Sequence, residues 1–480
     1  MEPIEPAYGT ATLLIIAALA VALLLFLIIK VRLHAFVSLV LVSLVTAIAA
    51  GIPLAQVPDA LIFGFADTLG SVALLVGFGV MLGRMLEVTG GAQVLADHLV
   101  GRFGEKRAPL ALGVAALIFG FPIFFDAGLV VFLPIILTVA RRFGGSVLLY
   151  ALPAAGAFAA MHALVPPHPG PVAAGNLLGG DIGVILLVGV PVAVLSWYVG
   201  VYLVAKVIGA RVDVPVTNLI FGEVNDGRPT GSTDSGGSGE HGGTDHTTTR
   251  TQAPPTFGTV LGLLLLPLVL ISFNTVLTTL VDSGALGEGI AVVEFLQLLG
   301  ITPVALLLTL LVAIAVLGRR DGSMADTSMI LDKSLAPICA IILITGAGGM
   351  FGGVLELSGI GESLTSSLSG IGLPLILQAF LIATLLRVAQ GSATVALTAT
   401  AGLIASQVEQ AGLGNFQIAL LVMAIAAGAT VLSHVNDSGF WLVSRFFGMD
   451  EKTTLKTWTV METTLGVSAF VIASALWVVT

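Results

Sequence analysis

The chain has 480 residues, of which 56% are hydrophobic and only 10% are charged, and its formal net charge is −9. A soluble core cannot bury so much apolar surface, so the composition excludes a soluble enzyme or binding module and indicates a chain embedded in lipid. The single cysteine, Cys339, excludes an intrachain disulfide and a thiolate metal cluster.

Apolar runs that match the length of a membrane span recur from one end of the chain to the other. Two examples are residues 11–29 and 185–205, and a spanning helix needs about 20 apolar residues. These runs are too long and too continuous for the alternating strands of a membrane barrel. We therefore predict an all-α polytopic membrane protein.

One hydrophilic stretch interrupts this pattern. Residues 225–256 are rich in Gly, Ser and Thr and almost free of aliphatic side chains, which is typical of a flexible linker. We therefore predict a first half at 1–210, a flexible cytoplasmic linker at 211–256 and a second half at 257–480.

The basic residues indicate how the chain is oriented. Lys and Arg concentrate in the cytoplasmic loops of membrane proteins. If the basic loops of this chain are cytoplasmic, the loops left outside contain no Lys or Arg; they lie around 52–68, 181–184, 281–300, 359–372 and 406–414. The pattern predicts a protein of the cytoplasmic membrane with both termini outside.

An internal repeat relates the two halves with an offset of 269 residues. The stretch "LLVGFGVMLGRMLEVTGG" at 74–91 coincides with "LITGAGGMFGGVLELSGI" at 343–360 at eight positions, where composition alone would supply roughly one or two. Basic residues flank a predicted hairpin at 109–140, and none flank its counterpart at 373–405. The two hairpins should therefore enter the membrane from opposite sides. We predict two inverted repeats, each with about five transmembrane helices and one re-entrant hairpin.

Each half breaks its apolar pattern twice, at positions related by the same offset. The hairpin tips read "GFPIFFDAG" (120–128) and "VAQGSATVA" (388–396), and the second breaks are "VPPHPGP" (165–171) and "SHVNDSG" (433–439). Proline removes a backbone donor and obstructs the preceding turn, so we expect broken helices near the midplane of the bilayer. Backbone groups freed there can bind a ligand.

The breaks suit an anionic ligand. A half-helix N-terminus carries about half a positive charge and free N–H groups, and hydroxyl and amide side chains can bind a polyol. The alternative is that these side chains bond only to the helix backbone. The candidate substrate-binding residues are Gln390, Gly391, Ser392, Thr394, Asn436, Ser438, Pro167, His168 and Gly170.

Ionisable groups at the breaks cost at least about 2.5 kcal/mol each if they are charged in the bilayer centre, so we expect them to be neutral, paired or hydrated. The candidates for proton coupling are Asp126, Asp437, His434 and His168. Arg387 is the candidate for charge compensation, with an interfacial position as the alternative. We predict no metal site, because the spacing of His162 and His168 places them on different helix faces.

Four stretches resemble signature sequences of the gluconate permease family: "FGFPIFFDAGLVVFLPI", "HALVPPHPGPVAAG", "VAQGSATVALTATAG" and "SHVNDSGFW". The resemblance covers nearly the whole chain except the linker, which departs from the compact members. It places the chain in a wider ion-transporter superfamily of inverted-repeat carriers. It implies proton-coupled symport of gluconate or a related small hydroxy or sugar acid, elevator-type alternating access and a homodimer.

Several alternatives stay open from the sequence. Family members divide among gluconate, related sugar acids, glycerate-like acids and D-serine, and sodium held by exposed carbonyls could replace the proton as coupling ion. An anion channel is disfavoured because no continuous polar stripe marks a pore. An intramembrane hydrolase is disfavoured because no paired nucleophile motif is present. We therefore predict a transporter that needs no cofactor and binds no nucleic acid.

Overall fold

The computed structural model describes residues 4, 6–91, 94, 98, 104–121, 124–166, 168–216, 254–282, 284–287, 289–318, 323–335, 338–360 and 373–480. Over these residues the secondary structure is helical and contains no strand, which confirms the prediction of an all-α chain. Most of the predicted linker lies outside the described residues, and so does the candidate Pro167.

The first half contains eight described helices, which we number in chain order. They are α1 (Thr10–Leu25, continued by a π-helical turn Phe26–Val31), α2 (Ala35–Ala49), α3 (Val57–Val88), α4 (Ala108–Gly120), α5 (Phe125–Phe143), α6 (Leu148–Leu164), α7 (Pro169–Leu177) and α8 (Ile182–Ser196, continued by Trp197–Tyr202 and Leu203–Arg211).

The second half contains ten described helices. They are α9 (Phe257–Asp282), α10 (Ala291–Gly300), α11 (Thr302–Ala313, continued by Ile314–Gly318), α12 (Met324–Leu335), α13 (Cys339–Leu357), α14 (Leu375–Gln390), α15 (Ala393–Ala411), α16 (Asn415–Thr430), α17 (Ser438–Phe446) and α18 (Glu451–Val478).

Six described helical segments are long and apolar enough to cross a membrane, or seven if the bent pair α10 and α11 forms one span. Several further apolar helices are shorter, among them α2, α4, α14 and α16. A short apolar helix fits a hairpin arm or half of a broken span better than a full crossing. The helices therefore support a multi-pass membrane protein, and five crossings per half stays a prediction.

Helix boundaries follow the offset of the internal repeat. Helix α7 begins at Pro169 and α17 at Ser438, while α8 begins at Ile182 and α18 at Glu451. The N-caps of α8 and α18 also correspond, because Asp181 accepts a hydrogen bond from the N–H of Val184 (2.9 Å) and Asp450 accepts one from Thr453 (2.8 Å). A carboxylate at this position satisfies a backbone donor that the helix leaves open.

The core lies around α6 and α16, whose side chains are almost all buried. Helix α4 packs on α6 and α14 packs on α16, while α6 and α16 also contact each other. Both central helices are rich in alanine, and small side chains allow helices to approach closely in a membrane protein. Each hairpin therefore rests against one of two adjoining central helices.

Helices α3 and α13 cross with their backbones in contact. Gly64 of α3 lies against Gly349 and Gly353 of α13, and a Cβ atom at Gly64 would collide with the Gly349 carbonyl. Because the obstructing atoms belong to the backbone, they cannot move aside as a flexible side chain would. The crossing therefore requires glycine.

We predict that Gly64→Ala destabilises the protein by about 1–3 kcal/mol, because the added methyl group overpacks the crossing. Gly77→Ala on the same helix is the matched control, since open space surrounds a Cβ atom there, and alanine even favours the helix by up to about 1 kcal/mol. Thermal unfolding in detergent measures both effects. Equal melting temperatures for the two variants would contradict the backbone contact between α3 and α13 at Gly64.

Candidate functional site

A cavity of about 1110 Å³ opens where the hairpins and the second breaks meet. The described residues that line it include most of the candidates from the sequence, namely Asp126, Arg387, Gln390, Gly391, Ser392, Thr394, Asn436, Asp437 and Ser438. Along the chain, more than two hundred residues separate Asp126 from the other residues of this list. The fold therefore brings the two halves together at one site.

The first hairpin tip lies between the end of α4 at Gly120 and the start of α5 at Phe125. The Gly120 carbonyl accepts a hydrogen bond from His168 Nε2 at 2.9 Å. Asp126 lies in the first turn of α5 and lines the cavity. The histidine thus ties this hairpin to the second break of its own half, and the aspartate faces the site.

The second hairpin tip turns sharply at Gly391. This residue has φ +80°, in the left-handed region that favours glycine. It ends α14, and the next residue, Ser392, caps α15 by accepting a hydrogen bond from the N–H of Val395 at 3.3 Å. Gln390, the last residue of α14, is buried, and its Oε1 has no hydrogen-bond partner among the described residues.

Side chains of the second break of the second half bind the carbonyls at the end of α14. Asn436 Nδ2 donates to Val388 at 2.9 Å and to Ala389 at 3.1 Å. His434 Nε2 lies 3.0 Å from the Val388 carbonyl. Asn436 Oδ1 is buried without a partner among the described residues. The amide therefore anchors the hairpin through its nitrogen and leaves its oxygen available to a ligand.

The second break of each half also packs on the hairpin of the other half. Gly170 at the start of α7 lies against Thr394 and Leu397 of α15, and Gly439 at the start of α17 lies against Phe125 of α5. These two contacts are related by the offset of 269 residues. His168, Gly170 and His434 consequently lie behind the cavity and are not among the residues that line it.

A buried ion pair joins the second hairpin to the second break. Arg387 of α14 donates to the Asp437 carboxylate and to the Gly391 carbonyl, and only 6% and 9% of the two charged side chains are exposed. Asp437 also accepts hydrogen bonds from the Ser433 hydroxyl and from the Gly439 N–H (3.0 Å). Burial is tolerable here because each charge has a partner and further hydrogen bonds.

The prediction that His162 and His168 point in different directions is wrong. Their rings lie 5.0 Å apart in an edge-to-face arrangement, and Phe124 lies within 6 Å of both rings. Helix α6 ends at Leu164, so helical spacing does not govern the position of His168. Within the described part of the chain, no group of three or more His, Cys, Asp or Glu residues is placed to hold a metal ion.

Several polar residues that line the cavity were not among the candidate site residues from the sequence. Glu462 of α18 is 3% exposed, and its Oε1 has no partner among the described residues. Asp67, Thr68 and Glu356 line the opposite end, next to the crossing of α3 and α13. A lone carboxyl inside a long apolar helix is itself a signal of function, and it could have identified Glu462.

The arrangement can hold a small anion. The N-termini of α15 and α17 lie at the cavity through Ser392 and Ser438, and each supplies backbone N–H groups and a partial positive charge. Arg387 is the one Lys or Arg among the described lining residues, and Asp437 already neutralises it. The positive potential offered to an anion therefore comes from the helix N-termini and not from a free basic side chain among the described lining residues.

The chain matches the model of the GntP family permease over residues 12–479. It is 40% identical over 472 residues to the inner membrane permease YgbN of Escherichia coli (strain K12), covering 98% of this chain and 100% of that protein. It is 35% identical to the low-affinity gluconate transporter of the same organism, covering 95% and 96% of the two chains. It is also 35% identical to the gluconate permease of Bacillus subtilis (strain 168), covering 95% and 97%.

These matches extend through both halves and include every described residue of the cavity. They confirm the resemblance that the four signature stretches indicated. The chain belongs to the GntP permease family and is a membrane transporter, not an enzyme.

Proposed function

We propose that the chain carries gluconate or a related small hydroxy acid across the cytoplasmic membrane together with a proton. The observation that carries this proposal is the cavity at which two hairpin tips and two helix breaks meet beside a buried arginine. Broken helices around a central site are typical of secondary transporters. The names of two relatives, a gluconate transporter and a gluconate permease, support a gluconate-type substrate.

The substrate carboxylate would bind at the N-termini of α15 and α17. Both helices begin at the cavity, and their first N–H groups have no partner within the helix. Substrate hydroxyls would donate to Gln390 Oε1 and Asn436 Oδ1, which are buried without a partner among the described residues. The hydroxyls of Ser392, Thr394 and Ser438 complete a lining that can both donate and accept.

His168, His434 and Gly170 would act through the hairpins and not by touching the substrate. Each histidine directs Nε2 at a backbone carbonyl, which can only accept a hydrogen bond, so Nε2 carries a proton. A neutral ring with this tautomer suffices for that bond. We therefore propose both histidines as positioning residues, and Gly170 as the residue that allows α7 to approach α15.

Charge balance supports a coupled proton. Because Asp437 neutralises Arg387, an incoming carboxylate would add an unpaired negative charge that costs at least about 2.5 kcal/mol near the bilayer centre. A proton on an acid of the cavity removes this cost. Asp437 suits the role of fixed counter-ion, and Asp126 at the tip of the first hairpin is an acid that faces the substrate.

We further propose that the halves are inverted copies. The offset of 269 relates α3 to α12 and α13, and these helices run in opposite directions where they pack. Gly64 near the start of α3 lies against Gly349 of α13, whereas Met85 near its end lies beside Thr327 of α12. Opposite directions in corresponding helices support inversion.

Inversion and the resemblance to the wider superfamily favour elevator-type alternating access. The hairpins and broken helices would move as one body against α3, α9, α10, α11 and α13, which line the other side of the cavity. By the same resemblance we propose a homodimer. Both termini would lie outside, because the loops assigned to that side contain no basic residue.

Removal of either acid should abolish coupled uptake. Asp437→Asn leaves Arg387 buried without a counter-ion, a change that typically costs about 3–5 kcal/mol, and Asp126→Asn removes the acid at the first hairpin tip. In proteoliposomes, wild-type protein should accumulate gluconate under an inward proton gradient and lose it when a protonophore is added. We expect no accumulation by either variant.

The matched control is Glu451→Gln, which removes the acidic partner of Arg445. This pair is 2.7 Å long, and its side chains are 32% and 24% exposed, so its loss should cost only about 0–1 kcal/mol. Unchanged uptake by both acid variants would contradict the assignment of Asp126 and Asp437 to coupled transport. If a sodium gradient drives accumulation by wild-type protein without a proton gradient, sodium is the coupling ion. A flux that does not saturate with gluconate concentration would indicate a channel.

We predict that Ser392→Ala raises the Michaelis constant for gluconate roughly 2- to 10-fold, because one hydrogen bond contributes about 0.5–1.5 kcal/mol. Thr398→Ala is the control on the same helix, since its hydroxyl bonds only to the carbonyls of Thr394 (3.0 Å) and Val395 (3.2 Å). Initial rates of uptake measure both constants. An unaltered value for Ser392→Ala would remove this residue from the site.

Inversion predicts opposite membrane sides for Gly183 and Lys452, which are exposed and related by the offset. Because Cys339 is the only cysteine, Cys339→Ser provides a background for Gly183→Cys and Lys452→Cys. In intact cells, a membrane-impermeant maleimide should label Gly183→Cys and leave Lys452→Cys unlabelled until the cells are lysed. Labelling of both variants from one side would show that the halves are parallel.

A further inference from the structure

Glu462 is a buried carboxyl at the cavity that the proposed function does not yet use. It lies midway along α18, is 3% exposed and lines the cavity. Its Oε1 is fully buried and has no hydrogen-bond partner among the described residues. An ionised carboxylate in that position lacks compensation, whereas a protonated one is neutral.

The contacts of α18 place Glu462 beside the ion pair. One turn before it, Trp458 Nε1 donates to Ser433 Oγ at 2.8 Å, and Thr459 Oγ1 donates to the Ser433 carbonyl at 2.5 Å. The same Ser433 hydroxyl bonds to Asp437. One turn after Glu462, Gly466 packs against Thr430. Contacts on both sides thus hold Glu462 against the second break.

The other ionisable groups at this end of the cavity are less suited to bind a proton reversibly. Asp437 already accepts three donors as the counter-ion of Arg387, namely the Arg387 guanidinium, the Ser433 hydroxyl and the Gly439 N–H. Asp126 on α5 faces the substrate at the first hairpin tip and is more exposed than Glu462. His162 on α6 packs against the His168 ring.

We propose that Glu462 is the group that binds the coupling proton; this inference rests on the proposed function. With Glu462 protonated, Arg387 and Asp437 neutral as a pair, and the substrate carboxylate at the helix N-termini, the loaded site carries one charge fewer than with Glu462 ionised. Release of the proton on the alkaline side leaves an uncompensated carboxylate beside the pair. That charge repels the anion and promotes its release.

The test compares Glu462→Gln with wild type, because glutamine keeps the shape of the side chain but cannot titrate. Wild-type affinity for gluconate should rise as the pH falls, since the protonated site binds the anion, and binding should take up a proton. We expect the affinity of Glu462→Gln to be independent of pH. Titration calorimetry in buffers of different ionisation enthalpy should show that Glu462→Gln takes up one proton fewer than wild type for each gluconate bound.

In proteoliposomes with an inward proton gradient, Glu462→Gln should not accumulate gluconate, whereas Glu462→Asp, which keeps a titratable group, should accumulate it with a shifted pH profile. Glu409→Gln is the matched control, because Glu409 is exposed near the end of α15, and it should match wild type in both assays.

Two results would overturn the inference alone, namely wild-type accumulation by Glu462→Gln, or loss of gluconate binding in both Glu462 variants. The second result would indicate a structural or substrate-contacting role. If wild-type protein itself ignores the proton gradient, the proposed coupling fails, and this inference fails with it.

Discussion

The site depends on one constraint, that backbone polar groups exposed by a broken helix in an apolar surrounding must find partners. The fold meets it with side chains from the opposing break. His168 bonds to the Gly120 carbonyl, and His434 and Asn436 bond to carbonyls at the end of α14. These bonds satisfy the C-terminal ends of the first hairpin arms. The N-terminal ends of the following helices stay open to the cavity, and their partial positive charge attracts an anion.

The Arg387–Asp437 pair gives this arrangement its electrostatic character. An unpaired arginine would bind an anion so strongly at one side of the membrane that release would be slow, since an ion pair strengthens as water is excluded. Neutralisation by Asp437 leaves the helix N-termini and hydroxyl groups to bind the carboxylate. A carrier must release its substrate on every cycle, so moderate attraction by dipoles is better suited to transport than a full charge.

The backbone of the site could be predicted from the sequence because its signals are local. Proline and glycine mark the breaks, and the offset of 269 places the start of α7 and α17 at corresponding residues. The side-chain partners could not be predicted, since they depend on contacts between distant segments. His168 meets His162 only because the chain leaves α6 after Leu164. The lone carboxyl of Glu462 inside an apolar helix indicates a function, but only the fold places it beside Asp437.

The repeat also explains why the two halves share a backbone arrangement but differ in their charged residues. The offset relates Arg387 to Ile118, Asp437 to His168 and Glu462 to Ala193, so the first half keeps the breaks but carries no ion pair or carboxyl at these corresponding positions. Two copies of the backbone arrangement are needed for a site between inverted halves, because each break packs on the hairpin of the other. Only one set of charges is needed, since a second buried pair would add desolvation cost without a second substrate. Symmetry in the backbone and asymmetry in the charges are therefore both expected of a carrier with one anion site.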